Sequence, residues 1–489
     1  MAKAGRKPRA QTGASGARQS GAAAGRSPAN ASAASVRRSE RPLEHRMLLT
    51  ATMCLLAFGA VMVYSASSAT TLLQGGGLRD GYLVKFLIYG AVGLALMQWL
   101  ARDGLAKLDH FTPPLLGVSF VLVLAVHIPH VGVSVNGAQR WIGPGSLQFE
   151  PSELMKLALV LYAAMLIARR PLCVHDLREL ARPLLAVIGA ACVLVFTQPD
   201  LGTTMVIAFT TAAMLIAAGI PMRKLGLIAG SVLGLVLVYA LAVPYARVRL
   251  TSFMDPWAHA SSSGFQAVQG QIAIGSGGLF GVGPGQSVQK IFYLPEAQTD
   301  FILAVIGEEL GVVGVFALLF LYGLIAYAGL RAAKAARSLY AALIAVGVTA
   351  LIVSQAVLNA FAVLGLAPLT GVPLPFVSYG SSSLIVTLAA MGLLLNVAAG
   401  ASGNVRALTP VRTRTRRAAG APRGSGQADA RPRRRSRGAS PAGARAESAN
   451  GGESPRWGGD GRSEEDRDRG RRDRRARGAG ARGGRRAAG

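Results

Sequence analysis

The feature that most constrains this chain is a series of apolar runs, most of them long enough to cross a lipid bilayer. A transmembrane helix needs about 20 mostly apolar residues, because the hydrocarbon core is about 30 Å thick. The runs lie at residues 46–68, 82–101, 113–129, 152–169, 183–197, 201–219, 224–243, 301–328, 339–367 and 376–400. The sequence therefore predicts an all-α, polytopic integral membrane protein with about ten transmembrane helices, whose first helix is retained rather than cleaved as a signal.

Most of the positive charge of the chain lies at its two ends. The formal net charge of +28 would suit a nucleic-acid binder, but residues 1–46 carry ten Lys or Arg against two acidic residues, and residues 401–489 carry 24 Arg against nine. Both ends are rich in Ala, Gly, Ser and Pro, so we expect disordered tails at 1–45 and 401–489. Such tails suit anionic lipid headgroups, and no specific nucleic-acid partner is expected.

The distribution of Lys and Arg among the loops predicts the orientation of the protein. Cytoplasmic loops of membrane proteins carry the excess of these residues. With the basic amino terminus inside, the inner loops contain eleven Lys or Arg and the outer loops five. Both termini are therefore expected in the cytoplasm. Residues 244–300, the long loop between helices 7 and 8, are expected outside, and a loop of this length is usually functional.

Four carboxylates gather at the end of this loop, in LPEAQTDFILAVIGEELG (residues 294–311). Glu296 lies in the loop, and Asp300 opens the eighth helix, where it suits either a helix cap or a reactive site. Glu308 and Glu309 lie about two turns further in, where an ionisable group is costly and a functional role is expected.

Charged residues from other segments are expected at the same membrane face. They are Arg140, Glu153, Lys156, Asp200, Arg247 and Arg249. The pair Glu153 and Lys156, three residues apart in PSELMK, is either a structural ion pair or part of a site, and Asp200 is either a helix cap or a site residue. Together these charges predict an outward-facing cavity for an anionic, lipid-linked substrate. A transporter and a membrane transferase fit this pattern equally well.

Two further segments predict irregular backbone beside this cavity. GVPLPFVSYGSSS places Ser378 and Tyr379 before the last helix, and polar, broken backbone at membrane depth is tolerated where it lines a cavity. QGQIAIGSGGLFGVGPGQS carries glycines that let backbone amides approach an anion or simply pack closely. The three cysteines have no spacing typical of a disulfide framework or a metal site, so the residues predict no metal centre.

The region from about 46 to 400 resembles the SEDS family (shape, elongation, division and sporulation proteins). The matching stretches are NGAQRWI, FEPSELMKL, QPDLGTT, RVRLTSFMDPW, IAIGSGGLFGVGPGQSVQK, LPEAQTDFILAVIGEELG and PLPFVSYGSSSLI. Within the family, VMVYSAS, GPGQSVQKIFYLPEAQTDF and AVIGEELG are more similar to the division branch than to the elongation branch.

The resemblance implies a ten-helix peptidoglycan glycosyltransferase of the bacterial cytoplasmic membrane, acting at the division septum. Its substrate would be lipid II, and Asp300 would be the general base. Cations that would offset the pyrophosphate charge are Arg140, Lys156, Arg247 and Arg249. Further substrate contacts would be Glu153, Asp200, Glu296, Ser378 and Tyr379, and Glu308 and Glu309 would shape the cavity.

The resemblance also implies partners: a class B penicillin-binding transpeptidase and other division proteins. No cofactor is expected beyond Mg²⁺ or Mn²⁺ assisting at the pyrophosphate. Three alternatives stay open at this point, namely a lipid II flippase, a non-catalytic division scaffold and an elongation polymerase.

Three positions depart from the usual wording of the family. Gln298 stands where His is frequent, Glu150 where Gln is frequent, and Ser381 where Gly is frequent. Glutamine keeps hydrogen bonding but lacks a titratable ring, so a proton relay through position 298 is not expected.

Overall fold

A computed structural model describes residues 42–73, 81–135, 138–143, 148–171, 176–242, 244–291 and 293–400. The tails predicted at 1–45 and 401–489 lie outside these ranges, apart from residues 42–45. Helix α1 begins at Leu43, within the predicted amino-terminal tail.

Twelve α-helices make up most of the described part. They are α1 Leu43–Leu73, α2 Tyr82–Ala125, α3 Pro151–Arg169, α4 Leu177–Leu180, α5 Ala186–Phe196, α6 Leu201–Ala217, α7 Met222–Ala242, α8 Pro244–Met254, α9 Phe265–Gly277, α10 Ile302–Ala335, α11 Leu339–Val363 and α12 Ser381–Ala398. A π-helical stretch, Ala181–Leu185, joins α4 to α5.

Seven helical segments of the described residues are long and apolar enough to cross a membrane. They are Leu43–Ser68, Tyr82–Arg102, Leu108–Ala125, Pro151–Arg169, Ile302–Ala335, Leu339–Val363 and Ser381–Ala398. Arg182–Phe196 and Leu201–Ala217 are shorter apolar helices, and α7 occupies the remaining predicted run. Each predicted run therefore corresponds to a helical segment, which confirms the polytopic helical fold with about ten crossings.

The structure adds details that the apolar runs did not predict. The second and third runs belong to one 44-residue helix, α2. Helix α12 begins at Ser381 rather than near residue 376, because Phe376 has a positive φ of 65° and Gly380 is extended. A small antiparallel hairpin, β1 Gly132–Val135 with β2 Ala138–Ile142, precedes α3.

The core of the bundle lies between helices that are distant in sequence. Helix α10 packs against α1 and α11, α11 packs against α3 and α6, and α2 packs against α12. The buried side chains of this core are almost entirely Leu, Ile, Val, Ala and Met. These contacts bring the amino-terminal ends of α3, α6, α10 and α12 together.

The long outer loop does not stand free of the bundle. After α9, a glycine segment (residues 278–290) runs beside α10, and α10 itself is interrupted at Gly311, with φ 66° and ψ −164°. Val282 N and Gly283 N donate to Glu308 O and Glu309 O, at 2.9 and 3.1 Å. In return, backbone amides after Gly311 donate to the glycine segment. The break thus exchanges helical hydrogen bonds for bonds to the loop.

We expect Gly311→Ala to lower the stability of the protein, because this backbone region is essentially restricted to glycine and costs other residues about 1–3 kcal/mol. An added Cβ would also lie 2.5 Å from Gly281 N. Gly323→Ala, on the same helix with nothing within 4 Å of its Cβ, is the matched control. Thermal unfolding in detergent should show a lower midpoint for Gly311→Ala than for Gly323→Ala and wild type. Equal midpoints would contradict a helix break that requires glycine.

Candidate active site

Asp300 lies in the turn before α10, beside groups of both charge signs. The residue is only partly buried. The Thr299 hydroxyl lies 2.9 Å from Asp300 Oδ1 and 3.2 Å from Glu296 Oε2, so it can donate to either carboxylate. Burial raises the pKa of Asp300 to about 6, the Glu296 charge adds to this, and the Thr299 hydrogen bond and the Arg140 charge oppose it. At neutral pH Asp300 is thus a carboxylate that accepts a proton more readily than an ordinary aspartate.

Arg140 reaches the site from strand β2. Its Nε donates to Gln198 O at 3.1 Å, a second guanidinium nitrogen donates to Pro199 O, and Nη1 lies 3.7 Å from Asp200 Oδ1. The hairpin therefore places a buried cation against the turn between α5 and α6. This brings together two residues, Arg140 and Asp200, that the sequence predicted on one face.

Asp200 caps a helix and also faces Arg140, while its role as a substrate contact stays a prediction. Its Oδ1 accepts from Thr203 N at 3.1 Å, so it caps α6, and the same oxygen faces Arg140. A Cβ placed on Gly371 would lie 3.7 Å from Asp300 Oδ2 and 3.8 Å from Arg140 Nη1. Both charged groups therefore flank Gly371, in the loop between α11 and α12.

A second charged group lies at the start of α3. Lys156 Nζ is 2.9 Å from Glu153 Oε1, and both side chains are buried. Glu150 precedes them and accepts from the Ser152 hydroxyl at 2.8 Å. Burial raises the pKa of Glu150 to about 7, the charges of Glu153 and Asp200 raise it further, and that of Lys156 lowers it. This group is continuous with the Arg140 and Asp200 pair.

The segment before α12 joins these two groups. Tyr379 N donates to Gln298 O at 2.9 Å, and the Ser381 hydroxyl donates to Gln148 O at 2.8 Å. Ser378 is buried and its hydroxyl accepts from Leu374 N at 2.8 Å. The departures at positions 298 and 381 therefore fall where the segment before α12 is tied to the rest of the site.

Glu308 and Glu309 fix the glycine segment to α10. Glu309 Oε1 lies 2.9 Å from Lys290 Nζ, and its carboxylate accepts from the Ser65 hydroxyl of α1 at 2.6 Å. Glu308 accepts from the Ser287 hydroxyl and from Val288 N. Both glutamates are buried and accept hydrogen bonds, and their role in holding the shape of the cavity stays a prediction.

Arg247, one of the predicted cations, has no described contact with this arrangement. Arg247 is exposed and donates to Leu241 O near the end of α7. The side chain of Arg249 lies outside the described residues. Substrate-binding roles for Arg247, Arg249, Glu296, Ser378 and Tyr379 stay predictions.

Sequence reasoning missed several residues of the site. Lys290 was counted only as a loop cation, although a buried pair with a glutamate at the start of the next helix could have been proposed. Asn359 of α11 donates to Asp300 O at 2.7 Å. A lone asparagine in an apolar run would have been the only signal for it. The hairpin that carries Arg140 was signalled by Asn-Gly between alternating apolar residues in VGVSVNGAQRWI.

Within the described residues, no group of three or more His, Cys, Asp or Glu side chains could hold a metal ion. The carboxylates of Glu153 and Asp200 each face a cation of the protein. The residues described at this site therefore do not fit a dedicated metal centre.

Comparison with known proteins identifies relatives over most of the chain. A family model for FtsW, RodA and SpoVE, described as "Cell cycle protein", matches residues 45–403. Stage V sporulation protein E of Bacillus subtilis is 39% identical over 357 residues, covering 72% of this chain and 96% of that protein. A probable peptidoglycan glycosyltransferase FtsW of Thioalkalivibrio sulfidiphilus is 40% identical over 356 residues, covering 72% and 88% respectively.

Solved structures share the fold as well. A chain of a peptidoglycan synthase complex, described as coordinating polymerization and crosslinking, matches with a TM-score of 0.60 and 32% identity, covering 72% of this chain and 96% of that chain. The rod shape determining protein RodA of Thermus thermophilus matches with a TM-score of 0.52 and 30% identity, covering 72% and 95% respectively.

We expect Lys290→Met to lower the free energy of unfolding by about 3–5 kcal/mol, because it leaves the Glu309 carboxylate buried without its cation. The double variant Lys290→Met with Glu309→Gln should recover part of this loss. Arg169→Met, which breaks the partly exposed pair with Asp109, is the control and should cost less than about 1 kcal/mol. Equal losses of unfolding free energy for Lys290→Met and Arg169→Met, measured by equilibrium unfolding, would contradict a buried, coupled pair of Lys290 and Glu309.

Proposed function

Since the chain belongs to the SEDS family of FtsW, RodA and SpoVE cell cycle proteins, we propose that it polymerises lipid II into glycan strands for the septal cell wall. It is a multi-pass membrane protein and a peptidoglycan glycosyltransferase close to FtsW. The mechanism rests on one observation: Asp300 is a partly buried carboxylate with a raised pKa that lies near the Arg140 guanidinium.

Asp300 acts as the general base in this proposal. Its carboxylate accepts the proton of the N-acetylglucosamine 4-hydroxyl as that oxygen attacks the anomeric carbon of N-acetylmuramic acid on the second substrate. The new glycosidic bond forms as the bond from that carbon to the pyrophosphate oxygen breaks, with inversion, and undecaprenyl pyrophosphate leaves with the electron pair. Asp300 then releases its proton to the solvent outside the membrane.

The surrounding charges support departure of the pyrophosphate. This leaving group needs charge neutralisation more than protonation. Arg140 and Lys156 are buried cations, and each forms an ion pair with one carboxylate, that of Asp200 and that of Glu153 respectively. Both cations can therefore also interact with the negative charge of a diphosphate. Assistance by Mg²⁺ or Mn²⁺ carried on the pyrophosphate stays a prediction, and no step is assigned to it.

The partners and the location belong to the same proposal. The solved complex with a related chain coordinates polymerization with crosslinking, which supports a class B penicillin-binding transpeptidase as partner of this chain, alongside other division proteins. Relatives named FtsW favour the division septum over the elongating side wall. The loop charges support both termini in the cytoplasm, and the site then faces outward.

We expect Asp300→Asn to abolish polymerisation, because the amide keeps the size of the side chain but cannot accept the proton. The measurement is strand formation from labelled lipid II by the full chain in detergent with its cognate transpeptidase. Asp109→Asn, at the exposed pair with Arg169, is the matched control and should keep the activity. Equal rates for wild type and Asp300→Asn would remove Asp300 from the mechanism, and translocation of lipid II without polymerisation would indicate a flippase.

The rate should fall as the pH drops through about 6, roughly tenfold per unit below it, because Asp300 acts in its ionised form. Glu150, with a pKa of about 7, titrates in the same pH range. The variant Glu150→Gln therefore shows which of the two carboxyl groups causes the fall in rate on the acidic limb of the pH-rate profile. We expect the limb to persist in Glu150→Gln. A pH-rate profile in which that substitution removes the limb would assign it to Glu150 instead.

A further inference from the structure

The backbone of Asp300 is held by a side chain from another helix. Asn359 is a buried residue of α11, and its Nδ2 donates to Asp300 O at 2.7 Å and to Val372 O at 2.8 Å. An amide group carries two donor hydrogens, so one can serve each carbonyl. The two carbonyls belong to different walls of the site, the turn before α10 and the loop between α11 and α12.

We infer that Asn359 is a positioning residue for glycan polymerisation, because its amide ties the backbone of Asp300 to the loop between α11 and α12. It thereby sets where the Asp300 carboxylate meets the acceptor hydroxyl. This inference rests on the proposed function, since it requires Asp300 to be the base.

The need for such a clamp follows from where Asp300 lies. Its carbonyl comes before the first residue of α10, in a turn where Glu296 has a positive φ of 56°. A second link, from Tyr379 N to Gln298 O, holds the same turn two residues earlier. Both links run to residues 364–380, so the base and this loop are fixed as one unit.

The loop in turn fixes the position of the cation. Gly371 lies close to both the Asp300 carboxylate and the Arg140 guanidinium, and Val372, the second acceptor of Asn359, follows it directly. The Val372 side chain packs against Gly202, two residues after Asp200. A single amide therefore sets the spacing between the base and the Arg140 and Asp200 pair.

Helix α11 supplies a matched control for this amide. Gln355 lies one turn before Asn359 on the same face and is as deeply buried, at 1% against 2% exposure. Among the residues that the structure describes, neither polar atom of its side chain has a hydrogen-bond partner. Changing either residue to Leu replaces a buried amide by an apolar side chain, but only the change at Asn359 breaks bonds to the site.

A purely structural role and a positioning role give different pH profiles. The charged groups that face Asp300 are Arg140 from β2 and Glu296 from its own turn, with the Thr299 hydroxyl beside them. Loss of the clamp lets the carboxylate move relative to these groups, which displaces the midpoint of the acidic limb. A loss of folded protein lowers all rates together and leaves the midpoint in place.

The test compares Asn359→Leu with Gln355→Leu in the full chain with its cognate transpeptidase, using labelled lipid II across substrate concentration and pH. For Asn359→Leu we expect kcat to fall roughly 10- to 100-fold, since misplacement by about 1 Å costs on the order of 10²-fold. KM should stay within about threefold, and the acidic limb should move. Gln355→Leu should keep its kcat within about twofold and its limb in place, because no bond to the site is lost.

Equal behaviour of the two variants would overturn the inference, and so would a uniform loss of rate with an unmoved limb. Should Asn359→Leu fail to fold in thermal unfolding, Asn359→Asp, which keeps the shape and replaces the donor by an acceptor, undergoes the same test. Asp300→Asn is run alongside: if it keeps its activity, the proposed base itself fails. If it is inactive while Asn359→Leu matches wild type, only the positioning role fails.

Discussion

The pairing of buried charges is the interaction on which the rest of the site depends. An unpaired ion in a low-dielectric interior costs several kcal/mol, so each buried charge requires a partner from a neighbouring segment. Lys290 reaches Glu309, Arg140 reaches Asp200, and Lys156 is held by Glu153. The first two pairs each join a loop to a helix terminus, and so the same electrostatic requirement gives the outer loop and the hairpin their positions.

Asp300 differs from the carboxylates of these three pairs. Within the described residues, no cation lies within ion-pair distance of its carboxylate, while Arg140 stands nearby and is already engaged by Asp200. Burial without full compensation makes the ionised form less favourable, which is what a general base at near-neutral pH requires. The neighbouring pairs therefore stabilise the fold and leave the Asp300 carboxylate without an ion-pair partner among the described residues, as its proposed role as base requires.

Sequence reasoning succeeded where periodicity and position along a helix were enough. The apolar runs predicted the helices, and counting from their ends placed Arg140, Glu153, Lys156, Asp200 and Asp300 on one face. Sequence reasoning failed where a residue forms hydrogen bonds with backbone carbonyl groups. Asn359 binds two carbonyls, and the glycine segment binds the carbonyls freed at Gly311. Every residue has a backbone carbonyl, so the residue types do not predict which carbonyl a given donor will bind.

The sequence by itself determined the membrane fold and which charged groups lie at the ends of its helices, because the hydrocarbon core dictates the length of each helix and the cost of each charge. Only the tertiary structure decided which of those charges form ion pairs with each other. Pairing depends on helix contacts between residues hundreds of positions apart, such as Ser65 with Glu309. Those contacts are set by the packing of the whole bundle, which no local pattern encodes.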